Sequence, residues 1–414
     1  MRVAHLITRM IIGGAQENTL YNCQDLIRLF GDEVLLVTGP SLGPEGDLLA
    51  GGRAGEVPVE RVPSLRRAIH PWRDAVSYRA LKAILARFRP DVVHTHSAKA
   101  GVLGRLAAWR LGVPAVVHTV HGAPLGPYDP WPLRELYRWS EWYAARHCHA
   151  LISVADAMTD LVVAAGIAPR EKCTTIYSGM EVEPLLAAEQ HRVAMRAHLG
   201  LAAEDLVVGK IARLFPLKGH ADLIRAAVPL VREFPQLRFL LVGDGILRTE
   251  LMRQVEAAGL AAHFRFVGLV PPEQIPAYLA AMDVVVHVSL REGLPRALVQ
   301  ALIAGRPVVA YDVDGAREVA ISGRTGFLVP PRWEALIEPL RTLLARADLR
   351  RAWGRAGQEL FADRFRHENM TRQVRTLYER VLAQSRANLR QSGGQTLAGE
   401  APGGLPLVGP RQGT

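Results

Sequence analysis

Cysteine is scarce in this sequence, and the three present, Cys23, Cys148 and Cys173, stand far apart. They form no CxxC pair, which argues against a disulfide framework and a cysteine zinc site and fits a reducing compartment. Lysine is nearly as rare. Lys82, Lys99, Lys172, Lys210 and Lys218 are five of fifty basic residues. No Lys/Arg block occurs, so the net charge of +10 is spread along the chain. That spread argues against a nucleic-acid partner and leaves an anionic membrane surface or anionic small substrates. No apolar run reaches the roughly 18 residues of a membrane span. The opening MRVAHLITRMIIGGAQ lacks the length and cleavage site of a signal peptide; it reads as a strand followed by a glycine turn.

What is present is the composition of a globular protein. The chain has 414 residues, 49% hydrophobic and 22% charged. That length predicts two domains. Short β-type runs alternate with helical patterns. In the first half, strands are expected at Arg2–Ile7, Glu33–Val37, Asp91–His94, Ala115–Thr119 and Ala150–Val154. Helices are expected between them at Gln16–Phe30, Tyr78–Phe88, Gly101–Leu111 and Leu133–His147. Glu183–Gln190 reads as a linker. A second series starts at Leu206–Ile211 and runs through Arg238–Val242, Phe264–Val267, Val284–His287 and Pro307–Ala310, again with helices between. This alternation predicts parallel βαβ units, and hence two doubly wound α/β domains with a cleft between them. From Ser385 the chain is rich in Gly, Pro and Ser and is expected to be a disordered tail.

Three constellations carry chemistry. Gly13-Gly14 follows the first strand and opens a helix. Such a junction either lets backbone N–H groups approach an anion or is a plain tight turn; the G-x-G-x-x-G fingerprint is absent. In Ala212-Arg213-Leu214-Phe215-Pro216-Leu217-Lys218-Gly219 two cations stand five residues apart between a strand and a helix. They suit a diphosphate and its growing charge on departure. In Ser289-Leu290-Arg291-Glu292-Gly293-Leu294-Pro295 an acid follows a strand's C-terminal edge, where open α/β sheets bind ligands. The amides of Gly293 and Leu294 lie near the next helix's N-terminus, and a carboxylate accepts well from sugar hydroxyls.

The segments "ARLFPLKGH", "LVGDGILRTEL", "SLREGLPRALVQALIAGRPVVA", "DVDGAREV" and "GRTGFLVP" stand in order between Val207 and Pro330. Together they resemble the C-terminal domain of the retaining GT-B glycosyltransferases of family 4. "DVVHTHSAKAGVLGRLAAWRLGVPAVVHTVHG" resembles that family's first domain, and the likeness covers roughly residues 1–385. It implies a GT-B fold of two Rossmann-like domains facing a central cleft. The expected division is an acceptor-side domain at 1–185, a nucleotide-sugar domain at 186–365, a helix at 366–384 returning to the first domain, and the tail at 385–414. It also implies a transferase moving sugar from a nucleotide-sugar donor, such as a UDP-sugar, to a glycan or lipid-linked acceptor hydroxyl, with retention and no metal or other cofactor. Cell-envelope or exopolysaccharide synthesis, in the cytoplasm or against the anionic inner face of the plasma membrane, is the setting it suggests.

Residue by residue, Arg213 and Lys218 match the cations on the donor diphosphate, Glu292 the acid on the donor sugar, His121 a cleft histidine near that sugar, and Gly13 and Gly14 the loop that closes on the donor. One departure stands out. The second acid of the family's E-x7-E pattern, which binds the ribose hydroxyls, is Gln300 here. An amide offers one accepting oxygen and one donating nitrogen, so a weaker or altered ribose grip is expected. His94, His96 and His118 read as side chains of a polar cleft, with no Cys or Glu placed to complete a metal set. Asp312-Val313-Asp314 spells D-x-D but reads as a loop. Among the aromatics of Tyr128–His147, the face of Leu133, Leu136, Tyr137, Ser140 and Ala144 is expected to be core, with the rest meeting an acceptor or lipid headgroups. A sugar-nucleotide epimerase on the same architecture and a non-catalytic family member are the rival readings.

Overall fold

The computed structural model describes residues 1–43, 46–122, 128 and 130–396, the segment 389–396 as backbone only. It contains two parallel sheets. The first is built from β1 (Arg2–Ile7), β2 (Glu33–Thr38), β3 (Val59–Arg61), β4 (Val92–His96), β5 (Ala115–Val120), β6 (Ala150–Ser153) and β7 (Cys173–Thr175). Its spatial order is β3-β2-β1-β4-β5-β6-β7. The second comprises β8 (Leu206–Ile211), β9 (Leu237–Val242), β10 (Phe264–Gly268), β11 (Val284–His287), β12 (Val308–Tyr311) and β13 (Gly326–Val329), ordered β10-β9-β8-β11-β12-β13. Near-continuous Val, Leu and Ile along these strands suit sheets covered on both faces. In each sheet the order reverses once, beside β1 and β4 and beside β8 and β11. The crevices outside the strands' C-terminal ends at those reversals are the natural ligand sites of doubly wound folds.

Helices α1 (Gly14–Phe30), α2 (Pro71–Phe88), α3 (Ala98–Arg110), α4 (Trp131–Ala145) and α5 (Asp156–Ala164) cover the first sheet. The short α6 (Glu183–Leu186) and α7 (Arg192–His198) lead to the second. There follow α8 (His220–Glu233), α9 (Arg248–Ala257), α10 (Ile275–Ala281), α11 (Arg296–Ile303), α12 (Ile337–Ala345) and α13 (Ala347–Phe361). The last helix, α14 (His367–Thr396), packs back on α1. His367 Nδ1 stands 2.7 Å from Asp25 Oδ2, and Arg375 donates to Asp32 at 2.8 Å. Between the sheets, Val154, Ala155 and Met158 share one apolar cluster with Leu298, Ala316 and Val319. Glu318 caps α5 across this junction, accepting from the amides of Asp156 and Ala157 at 2.9 Å each.

Several expectations need correction. Glu183–Gln190 is helical rather than a linker, because Leu185 and Ala188 are drawn into the apolar junction. The last helix runs on past Gln384, since extending a helix already anchored by packing needs no new nucleus; residues 397–414 lie outside the described part. On α4 the buried residues are Glu141, Ala144 and Ala145, whereas Leu136 is 51% exposed. The helix meets the domain through small side chains and the Arg105–Glu141 pair, 2.7 Å apart, which leaves its large apolar residues outside. His94 and His96 are sealed inside the first sheet rather than lining a cleft, while the largely buried His118 lines a cavity of about 120 Å³ with His121.

Candidate active site

The charged wall of the cleft is shaped by two loops pressed together. After β8 the chain turns through Leu217 and Gly219, both at positive φ. A Cβ on Gly219 would stand 1.9 Å from the Val288 carbonyl oxygen, so only glycine brings this turn against the end of β11. The Leu290 amide donates to the Leu217 carbonyl at 2.8 Å and holds the two loops together. Lys218 Nζ is thereby set 2.5 Å from Glu292 Oε1. Asp314 accepts from the Glu292 amide at 2.7 Å. His287 Nε2 lies 3.2 Å from the same Glu292 oxygen, at an angle short of a hydrogen bond. Burial alone would push the Glu292 carboxyl up; the His287 ring and the Lys218 ammonium outweigh it and hold the group well below its usual range. Arg213 lies over the Phe215 ring at 5.0 Å on the same β8 loop.

The opposite wall belongs to the first sheet. Gly13 precedes α1 and Gly14 begins it. Arg296, at the start of α11, reaches over to donate to the Gly179 carbonyl at 2.8 Å and to Glu17 Oε2 at 2.6 Å. His121 follows β5. A Cβ on Gly293 would stand 2.4 Å from the His121 carbonyl oxygen, so the Glu292 loop and the His121 turn touch only because residue 293 lacks one. Burial, helped by Arg296, pushes the His121 imidazole down to about 3, which leaves it neutral near pH 7.

These walls enclose a cavity of about 520 Å³, within the range of small-molecule sites. Gly13, Gly14, His121, Arg213, Lys218, Glu292, Gly293 and Leu294 all line it. Gln300 does not; it lies farther along α11, half-buried. Asp312 and Asp314 hold protein groups instead of facing the cavity as a pair, Asp312 pairing with Arg317 at 2.8 Å. A second cavity of about 860 Å³ adjoins the first and shares Arg9, Gln16 and Arg67 with it. Ile69, Leu103 and Leu136 give it apolar walls, and Lys99 adds a cation that Asp74 pairs at 2.6 Å.

Residues 192–360 match the family of glycosyl transferases group 1, and residues 13–179 match the glycosyl transferase 4-like domain. EpsD of Bacillus subtilis (strain 168), which carries a provisional glycosyltransferase name, is 31% identical over 278 residues, 65% of this chain and 70% of that one. The chain belongs to the group 1 glycosyltransferases. The UDP-Gal:alpha-D-GlcNAc-diphosphoundecaprenol alpha-1,3-galactosyltransferase of Escherichia coli is 29% identical over 80% of this chain and 84% of its own. HepE of Anabaena, solved in complex with UDP, superposes with a TM-score of 0.76 at 25% identity over 92% of this chain and all of its own. Sucrose-phosphate synthase of Thermosynechococcus elongatus shares the fold at a TM-score of 0.77 and 22% identity, over 92% of this chain and 99% of its own.

The transferase holds functional candidates that motif spacing passes over. Arg296 is one; it lies inside the quoted motif, but its partners Glu17 and Gly179 are remote in sequence. Lys210 is another. It is fully buried on β8, and its ammonium has no partner among the described residues. Burial, with the nearby charge of Lys218, pushes it down to about 7. A lysine inside an apolar strand was the available signal. His5 is the third. It joins His94 and His96 in a buried cluster whose ligating atoms lie within 4.8 Å of one another.

Proposed function

We propose that the transferase moves a sugar from a UDP-sugar to an acceptor hydroxyl with retention of configuration and without a metal. The observation that carries this reading is a single cavity, at the C-terminal ends of both sheets, where Arg213, Lys218 and Glu292 face His121. Fixed cations and helix-terminal amides are the groups that stabilise a departing diphosphate. The C1–O bond to the diphosphate breaks as the acceptor oxygen bonds to C1 from the same face. The acceptor's proton passes to the departing phosphate oxygen. Arg213, Lys218 and the amides of Gly293 and Leu294 take the charge of the leaving group. Glu292, held ionised, accepts from sugar hydroxyls, and His121 positions the sugar from the other wall. Gly13 and Gly14 let the first domain's loop close on the donor, whereas Gln300, which does not line the cavity, is left without a part in gripping it. Closure of the two domains excludes water as a competing acceptor.

The adjoining cavity suits an acceptor that is part apolar and part anionic. Its walls combine Ile69, Leu103 and Leu136 with Arg67 and Lys99. Trp131 and Trp139 on α4 are more than half exposed beside arginines, as side chains at a headgroup boundary are. Among the described residues no helix is long and apolar enough to cross a membrane. A lipid-linked acceptor, met at the cytoplasmic face of an anionic membrane during envelope or exopolysaccharide synthesis, fits these features. The name of the Escherichia coli relative, with its UDP-Gal donor and diphosphoundecaprenol-linked acceptor, supports the same reading, as does the UDP bound by HepE.

The test is nucleotide release from a panel of nucleotide sugars, with and without EDTA, on wild type and Glu292→Ala. The reading expects one uridine donor to be cleaved in EDTA and Glu292→Ala to lose that activity. Release that requires a divalent ion, or conversion of the donor to its epimer, would overturn it.

A further inference from the structure

Three imidazoles form a row from the cleft into the first sheet. His121 Nε2 is 3.0 Å from His96 Nδ1, and His96 Nε2 is 3.0 Å from His5 Nδ1. Adjacent rings are stacked, with centroids 5.3 Å apart in both pairs. The three come from neighbouring strands, His5 on β1, His96 on β4 and His121 just past β5. The two ends of the row differ. At the outer end the His121 ring lines the cavity, and its Nδ1 takes no partner among the described residues. At the inner end His5 Nε2 is sealed from solvent with no partner among the described residues. His94 lies alongside, its nitrogens engaged by the Tyr378 hydroxyl at 2.5 Å and by Thr119 Oγ1 at 2.7 Å.

Burial disfavours the charged form of all three rings in the row. Each therefore carries one ring proton near pH 7, donating from one nitrogen and accepting at the other. Neutral imidazoles in a row must all donate in the same direction, because a reversal sets two N–H groups or two lone pairs face to face. The sealed inner end chooses the direction. An N–H at His5 Nε2 would be an orphaned buried donor, which native structures tolerate less than an under-satisfied acceptor. His5 Nδ1 then donates to His96 Nε2, and His96 Nδ1 donates to His121 Nε2.

We infer that His5 and His96 are positioning residues that keep the proton of His121 on Nδ1, so that the transferase presents an N–H donor, not a lone pair, to a sugar oxygen in the cleft. The inference rests on the proposed sugar-nucleotide cleft for its purpose but not for its test. The test is long-range 1H–15N NMR of the full chain labelled with 15N-histidine, at neutral pH, on wild type, His96→Leu, His96→Gln and His5→Leu. Wild-type His121 is expected as the Nδ1–H tautomer. His96→Leu and His5→Leu should let the Nε2–H form appear, and His96→Gln, whose amide can still donate to His121 Nε2, should restore Nδ1–H. In the nucleotide-release assay His96→Leu should lower kcat about 10-fold, the scale of one lost hydrogen bond, with less change in the donor KM; the His96→Gln protein should recover it. An Nε2–H His121 in wild type, or a tautomer indifferent to His96, overturns the inference even in protein that cleaves its donor. Stoichiometric zinc retained through His5, His94 and His96 also overturns it. If no donor is cleaved, the NMR result still decides the row, and only the transfer mechanism falls.

Discussion

The first domain meets the cleft with one neutral imidazole backed by strands, beside Arg9 and Arg67 on its loops, and the second meets it with an acid and a cation paired on loops. His121 rests on a row of neutral rings inside the sheet. Lys218 and Glu292 instead pair with each other at the cavity wall. The difference follows from where each group lies relative to water. A charge buried within a sheet needs a partner at close range or it loses its proton; a loop lets cation and acid meet at the rim of the crevice. In the proposed reaction the groups facing the diphosphate must hold charge, and the His121 side of the sugar needs only directed hydrogen bonds.

The largest expected effect tests that division of labour. Lys218→Ala removes a fixed cation and leaves Glu292 without its closest partner. Its kcat for transfer should fall by about 10²–10³, as when one stabilising donor is removed from a leaving-group or oxyanion site. His121→Ala, which removes a neutral positioning group, should lower kcat by roughly tenfold. Steady-state nucleotide release on both variants checks the comparison. If His121→Ala is the more damaging, the charged wall is not where the transition state is held.

A second test presses the walls apart. The Glu292 loop touches the His121 turn because Gly293 has no Cβ; one would stand 2.4 Å from a backbone oxygen that cannot yield as a side-chain tip does. Gly293→Ala should therefore shift the loop and lower kcat/KM about 10²-fold through misplacement alone. It should also cost about 1–3 kcal/mol of stability by overpacking, read from the urea midpoint. Loss of stability with normal kinetics would mean that the contact only packs the domains.

Acid should separate the domains in the other direction. His5, His94, His96, His118 and His121 are all held neutral by burial in the first domain, against His220 and His287 in the second. Their folded values lie below the unfolded one of about 6.5. Their contribution is thus fully present above pH 6.5 and is lost as pH falls, because the unfolded chain takes up protons first. His5 and His121, held down to about 3, each bear about 2 kcal/mol at pH 5. Hydrogen exchange at pH 5 should expose β1, β4 and β5 before β8 and β11. Uniform loss across both sheets would contradict the assignment.

Much of this was legible in the sequence, for stated reasons. Strand–helix alternation marked the long buried strands of both sheets, because apolar runs of that length have few other uses. It passed over β3, a three-residue edge strand, and α5, whose AMTDLVVA is too short and too evenly apolar to display a helical face. The motifs placed Arg213, Lys218, Glu292 and Gly293 on two segments, which the fold brings to one cavity. What crosses the cleft was not legible. Arg296 finds Glu17, and His121 finds His96 and then His5, through the order β1-β4-β5, which no local pattern encodes. The α4 aromatics misled because helical spacing reveals that a face is apolar without revealing whether anything covers it.

Lys210 gives the smallest and most specific contrast between the domains. It is the one lysine placed inside a strand, and Lys218, Glu292, Asp222, His220 and His287 are the charged or titratable groups acting around it. Its folded value of about 7 lies below the unfolded value of about 10.4. Below pH 7 both states are protonated and the full penalty of burying the charge is present. Between pH 7 and 10 the folded protein sheds the proton while the unfolded chain keeps it, so the penalty shrinks and stability rises. The second domain should therefore gain stability with alkali, where the first loses it with acid. Lys210→Met fills the same space without a charge. It should raise stability by about 1–2 kcal/mol at pH 7 and flatten the rise from pH 7 to 10 in urea titrations. A variant that is less stable at pH 7, or that keeps the alkaline rise, would mean that the ammonium has a partner in solution. UDP titration of the same variant would then tell whether that partner is the donor's diphosphate, reached from beneath the Lys218 loop.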